Sequence, residues 1–292
     1  IKILNKVKRG EKMKVAVVTD STAYIPKELR EKHNIHIVPL SVVFGDTSYR
    51  EELDITTEEF YKKVKASDAL PTTSQPSVGM FMESFEKLKE EGYEAAISIH
   101  LSSKFSGTYQ AATSAGEMVE GLDVHTLDSE LSAMPQGLIA IHAAELAAEQ
   151  MDVGEIINRL ESMKNSIRAY FMVDDLSHLQ RGGRLSGAQA IVGSLLKVKP
   201  ILHIVDGKIV PFEKIRTRKK AIHRIMGMLN EDAANGKVKR VVFIHANNED
   251  SAIELRDTFS KNYPSIETVI SYFGPVIGTH LGEGALGVSW HP

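Results

Sequence analysis

Short apolar runs rich in β-branched residues alternate with amphipathic stretches along most of this chain, and no other feature constrains its fold as much. Val15-Ala16-Val17-Val18 is the first such run and ends in Thr19-Asp20-Ser21-Thr22. That is the pattern of a buried parallel strand whose carboxyl end delivers polar groups. Residues 26–33 then read as a helix and 35–40 and 41–44 as extended segments, and Thr57 reads as the cap of a helix with Glu58 and Glu59 in its first turn. The alternation continues with a helix at 76–91, a strand at 95–101, a helix at 106–119 and a strand at 124–127. Parallel strands joined by helices are the expected product.

Two helical stretches follow, at 133–150 and 153–165. The first carries alanine, leucine and isoleucine on nearly all sides, as a buried helix does, and tolerates Pro135 only in its first turn. Ala169-Tyr170-Phe171-Met172-Val173 restarts the pattern. Beyond it, apolar runs at 200–205 and 208–211 flank Asp206-Gly207, a hairpin signal. A helix at 217–232, a strand at 238–245, a helix at 249–262 and a strand at 266–272 complete the series. The expected fold class is α/β: two α/β domains, residues 13–166 and 167–292, with mainly parallel sheets and a ligand site at their junction.

Composition removes several function classes. The net charge is −3 and no basic block extends beyond residues 216–220, so nucleic acid binding has no general electrostatic footprint. The absence of cysteine excludes disulfides, thiolate metal sites and a cysteine nucleophile. No window approaches the ~18 uninterrupted apolar residues of a membrane span. Residues 1–12 lack the apolar core of a signal peptide. The expectation is a soluble, cytoplasmic protein without stable membrane insertion, whose native start is Met13.

Three polar clusters are the candidates for chemistry. Leu70-Pro71-Thr72-Thr73-Ser74-Gln75-Pro76-Ser77 sets hydroxyls and an amide around two prolines, ahead of a helix. Leu101-Ser102-Ser103-Lys104-Phe105-Ser106-Gly107-Thr108 repeats the theme after a strand, and Gly278-Thr279-His280-Leu281-Gly282-Glu283-Gly284 lies near the end. Hydroxyls of Thr73, Ser74, Ser102 and Ser103 beside helix N-termini would hold a carboxylate or phosphate without formal positive charge. The plainer alternative is that they only cap the helices. Two such clusters at the carboxyl edge of one sheet favour a site. His280 among glycines would donate to the anion, and no paired-histidine spacing suggests a metal. Arg184 and Arg216, each near the start of an apolar or helical stretch, are candidates for anion or partner contact.

Gly282-Glu283-Gly284-Ala285-Leu286-Gly287 matches G-x-G-x-x-G, but it lacks the strand before it and the acidic residue after it that a dinucleotide site requires. A serine hydrolase is the enzymatic rival: no G-x-S-x-G elbow surrounds Ser103, although Ser103, His280 and an aspartate could be assembled into a triad.

In these motifs the chain resembles the DegV family of bacterial lipid-binding proteins from Met13 to His291. The resemblance rests on Val17-Val18-Thr19-Asp20-Ser21-Thr22, Thr72-Thr73-Ser74-Gln75-Pro76, Ser102-Ser103 with Ser106-Gly107-Thr108, Arg181-Gly182-Gly183-Arg184, and residues 278–287. Lys104-Phe105 departs from the small, glycine-containing pair of many members. The resemblance implies a non-enzymatic carrier with no cofactor, holding a long-chain fatty acid in a buried apolar tunnel. It further implies that a partner fatty acid kinase phosphorylates the carboxylate. On this reading Thr72, Thr73, Ser74, Ser102, Ser103, Gly107 and His280 form the ligand site, and Arg184 and Arg216 supply the positive field or the kinase contact. A serine esterase or lipid hydrolase and a lipid-sensing regulator stand as the alternatives.

Overall fold

The computed structural model describes residues 13–67, 69–185 and 199–291; the expectations for residues 1–12 and for the apolar stretch 188–196 lie outside them. In chain order the first half runs β1 (Val15–Asp20), α1 (Lys27–Lys32), β2 (Ile35–Val38), β3 (Ser41–Phe44), β4 (Thr47–Arg50), α2 (Thr57–Ala66), β5 (Thr72–Ser74), α3 (Val78–Glu90), β6 (Ala95–His100), α4 (Thr108–Met118), β7 (Asp123–Asp128), α5 (Met134–Ala148) and α6 (Val153–Ser166). The second half runs β8 (Arg168–Met172), α7 (Ser177–Arg181), β9 (Ile201–Val205), β10 (Lys208–Glu213), α8 (Arg218–Ala234), β11 (Arg240–His245), α9 (Glu249–Asn262), β12 (Glu267–Tyr272), α10 (Pro275–Leu281) and β13 (Leu286–His291).

The first sheet, β2-β1-β6-β7, is parallel throughout. Every residue of β6 is buried, because helices cover both faces. Ala16, Val18 and Ala96 meet Phe81 and Phe85 of α3 and Ala112 and Ala115 of α4. On the other face Val17, Ile97 and Ile99 meet α5 through Leu138 and Ile139. Eleven of the fifteen residues of α5 are buried, and its proline sits in the first turn. The same apolar cluster continues through α5 to Phe171, Val242 and Ile244 on the inner face of the second sheet, whose outer face packs on α8 and α9. The layers are thus α3/α4, first sheet, α5, second sheet, α8/α9.

The α/β class holds, but the expectation of mainly parallel strands applies to the first sheet only. In the second sheet, β10-β9-β8-β13-β11-β12, only β11 and β12 pair in parallel. The reasons are local. Asp206 and Gly207 adopt positive φ of 49° and 73°, the two-residue turn that folds β9 back on β10. The chain leaving β12 passes through the short α10 without crossing the sheet, so β13 starts at the edge where β12 ends and must run back.

Two further expectations are corrected. Thr72, Thr73 and Ser74 do not lie at the carboxyl edge of the first sheet; they form β5 of a separate antiparallel sheet, β4-β3-β5, with Thr73 opposite Val42. Pro71 and Pro76 bracket this edge strand and keep it short. The cap of α2 is Thr56, not Thr57: its hydroxyl accepts from Glu59 N, and the Glu59 carboxylate accepts from Thr56 N, a reciprocal capping box. No helix among the described residues is long and apolar enough to cross a membrane.

Candidate functional site

All three polar clusters border one cavity of about 400 Å³. That falls in the range usual for small-molecule sites, about 300–1,000 Å³. Phe171, Ile204, Ile209 and Ile244 from the second sheet, with Leu40, Leu101, Phe273 and Val276, make most of the wall apolar. Thr73, Ser74, Ser103, Arg184 and His280 are among its polar groups, and Gly107 also borders it.

His280 occupies the last turn of α10, and the opposite end of that helix is anchored in the core. Val276 N donates to Glu51 Oε1 at 2.8 Å and Ile277 N to Tyr24 Oη at 3.1 Å. Glu51, fully buried, also accepts from Ser21 Oγ at 2.6 Å and Tyr24 Oη at 2.7 Å. Burial pushes its carboxyl up to about 7, against the opposing effect of these hydrogen bonds. Gly274 is required here, since a Cβ would lie 2.4 Å from the Tyr24 ring.

The imidazole reaches Thr73, with His280 Nε2 3.0 Å from Thr73 Oγ1. Burial, reinforced by the charges of Arg184 and His178, lowers the His280 pKa to about 4, so the ring is neutral at physiological pH. If Nε2 carries the proton and donates to Thr73, the threonine hydroxyl remains free to donate to an anion. His280 Nδ1 has no hydrogen-bond partner among the described residues and faces Gly182, where a Cβ would come within 2.3 Å of it. The glycine of Arg181-Gly182-Gly183-Arg184 therefore admits the imidazole. Arg184 follows at once, held by the Phe105 carbonyl at 3.2 Å from Nε and by the Gly182 carbonyl.

The adjacent serines divide sharply. Ser103 is exposed at the cavity, and its hydroxyl has no partner among the described residues; its backbone N donates to Asp128 at 3.2 Å. Ser102 is fully buried and its Oγ donates to Gly207 O at 2.8 Å, so it fastens the loop to the β9–β10 turn and does not line the cavity. Ser77, whose hydroxyl accepts from Met80 N, is the cap of α3, which leaves Thr73 and Ser74 free of that duty. Thr72 is exposed on a neighbouring cavity that it shares with His178, Arg181 and Arg184. Arg216 is exposed and lines none of the cavities described.

Gln75, Ser132 and Glu51 are the participants that sequence reasoning did not assign. Gln75 lines the cavity and packs on Gly107, where a Cβ would fall 2.3 Å from Oε1; its place inside the hydroxyl cluster was the available signal. Glu51 stands among Arg50, Glu52 and Asp54 and looks like part of a solvated charge run.

A second histidine cluster bears on the hydrolase reading. Asp20 Oδ2 lies 3.0 Å from His100 Nδ1, and His100 Nε2 lies 2.7 Å from Ser98 Oγ, the order of a catalytic triad. All three are fully buried in the first sheet, out of reach of any substrate. At the cavity, the partner of His280 is Thr73, not Ser103, and no carboxylate orients its other nitrogen among the described residues. Among those residues no three histidine, aspartate or glutamate side chains group as a metal ion would need.

A family model described as "Uncharacterised protein, DegV family" matches residues 14–292. Protein DegV of Bacillus subtilis is 57% identical over 279 residues, covering 95% of this chain and 99% of that protein. The crystal structure of DegV from Bacillus subtilis, described as a fatty acid binding protein, superposes with a TM-score of 0.91 at 56% identity, covering 96% of this chain and 99% of that one. A DegV family protein from Thermus thermophilus, whose structure is described as showing fatty acid binding, gives a TM-score of 0.87 at 32% identity over 96% of this chain and 99% of its own. Sequence and fold thus agree along nearly the whole length, and the chain belongs to the DegV family.

Proposed function

We propose that the protein is a carrier that binds a long-chain fatty acid, with the tail in the apolar cavity and the carboxylate at its polar groups. The observation that carries this is the cavity itself: an apolar wall with Thr73, Ser74, Ser103, Arg184 and neutral His280 on its border. The fatty acid binding described for the two DegV structures supports it. Thr73 and Ser103 donate to the carboxylate, Ser74 and Gln75 flank it, and Arg184 balances its charge. Gly107 makes room for Gln75, and Ser102 holds the loop. The carboxylate would lie where the proposed domains, residues 13–166 and 167–292, meet. Removing each methylene from water contributes about 0.8 kcal/mol, so the tail supplies most of the affinity and the hydroxyls mainly fix orientation.

The carrier presents its carboxylate to a cytoplasmic fatty acid kinase for acyl-phosphate formation, and exposed Thr72 and Arg216 are available to that partner. Denaturing mass spectrometry of the purified protein tests the binding. A co-purified long-chain fatty acid is expected; a serine carrying an acyl group would favour a hydrolase instead, as would stoichiometric labelling of one serine by a fluorophosphonate. An empty protein that ignores added lipid would defeat the proposal. The presenting role is checked by acyl-phosphate formation that requires both the loaded protein and the kinase; loaded protein that no kinase accepts would leave a lipid sensor as the better reading.

A further inference from the structure

Along the apolar part of the cavity lies one hydroxyl without a bonding partner. On β13, Trp290 points away from the cavity, its Nε1 donating to Asp232 of α8 at 2.8 Å. Alternation along the strand turns Ser289 to the opposite face, with Gly287, and both line the cavity. Ser289 is 1% exposed, and its Oγ has no hydrogen-bond partner among the described residues. Strand register fixes its depth. Gly287 lies opposite Phe171 and Ile244, near the turn that leads from His280, whereas Ser289 lies opposite Ala169 and Val242. Two residues of strand separate the two levels by about 7 Å. Of the other unpartnered hydroxyls, Ser103 is exposed in the head-group loop, and Ser132, whose oxygen is buried, follows Leu131, whose carbonyl accepts from Ser102 N, so both belong to the polar loops.

Buried hydroxyls are seldom left unpaired in native proteins. A fully saturated tail would leave the Ser289 hydroxyl without a partner. A tail with a hydrogen-bond acceptor at that level would complete it. We propose that Ser289 is a specificity-determining residue favouring an acyl chain with an acceptor part-way along, either an oxygen or the π face of a double bond. The inference rests on the fatty-acid reading of the cavity and adds to it the chemistry of the preferred tail.

Competition binding with stearic, oleic and 10-hydroxystearic acids, equal in carbon number, tests it on the full chain. The wild-type protein should prefer at least one acceptor-bearing acid over stearic acid: the hydroxy acid if oxygen is read, oleic acid if the double bond is. Ser289→Ala should move that preference about fivefold toward stearic acid, and Ser289→Thr, which keeps the hydroxyl, should retain it. The ligand-free Ser289→Ala protein should melt no lower than wild type, since it loses only an unpaired buried group. A wild-type protein that ranks stearic acid first would overturn the inference. So would a Ser289→Ala variant that changes all three affinities by one factor or that melts well below wild type. If neither protein binds any of the acids, the fatty-acid reading itself fails.

Discussion

His100 and His280 each stand within hydrogen-bond distance of a hydroxyl, yet the two side chains occupy opposite kinds of surroundings. His100 is fully buried with both nitrogens engaged, by Asp20 and Ser98. Asp20 accepts in addition from Leu101 N, Gln136 Nε2, Thr22 N and Thr22 Oγ1. Among the described residues the His280 side chain makes one bond, to Thr73, and keeps a buried nitrogen unpaired beside a cavity. A satisfied network rigidifies a core and has nothing left to offer a ligand. An unsatisfied one costs stability and is retained where something else completes it.

The largest expected effect comes from breaking the satisfied network. Asp20→Ala removes the acceptor of five hydrogen bonds inside the first sheet and should lower the unfolding free energy by about 3–5 kcal/mol. Urea denaturation measures this, and a loss below about 1 kcal/mol would mean that the network does not hold the sheet. The fatty-acid affinity of the folded fraction should stay unchanged.

At the cavity the pattern should reverse. Arg184→Ala removes the charge beside His280 and the tie to the Phe105 carbonyl. Displacement of a fluorescent fatty acid should show binding weakened by about 1.5–3 kcal/mol, with a smaller change in stability. Equal affinity in the variant would remove Arg184 from the site.

Titration sharpens the contrast between the cavity and the buried anchor of α10. His280 is depressed from 6.5 to about 4, so its contribution to stability is complete above pH 6.5 and is lost as pH falls through 4. Its ring resonances should titrate with a midpoint near 4 by NMR; a midpoint near 6.5 would show an open, solvated ring. Glu51 behaves in the opposite sense. Raised from 4.5 to about 7, it contributes fully below pH 4.5 and the contribution is lost as pH rises through 7. Glu51→Gln should flatten that upper-side decline by about 1–3 kcal/mol, read from denaturation curves across this range.

The smallest effect is expected at the hydroxyl. Thr73→Val preserves shape and removes the bond to His280, and should weaken fatty-acid binding by about 0.5–1.5 kcal/mol. Complete loss of binding would mean that the head-group contacts, not the tail, carry the affinity.

Much of the fold was legible in the chain. The parallel first sheet, the buried α5 with its early proline, the Asp206-Gly207 hairpin and the helix expected at 217–232, which is α8, all follow from patterns within a few residues. Last-strand β13 and the partnership of β5 with β3 did not, because strand pairing depends on segments far apart in sequence. The polar clusters were visible, but not the division of labour inside them. Ser102 and Ser103 are the same residue type in the same loop. One bonds a carbonyl 105 positions away and the other faces the cavity.

The residues by themselves determined the α/β alternation, the hydroxyl clusters and the family, because these depend on local periodicity and on residue identity at motif positions. Only the tertiary structure decided that Arg184 borders the cavity while Arg216 does not, that Glu51 is a buried anchor, and that His280 is neutral and bonded to Thr73. Burial and partner choice are properties of contacts between distant segments. A side chain's chemistry is written in the chain; its surroundings exist only once the layers have packed.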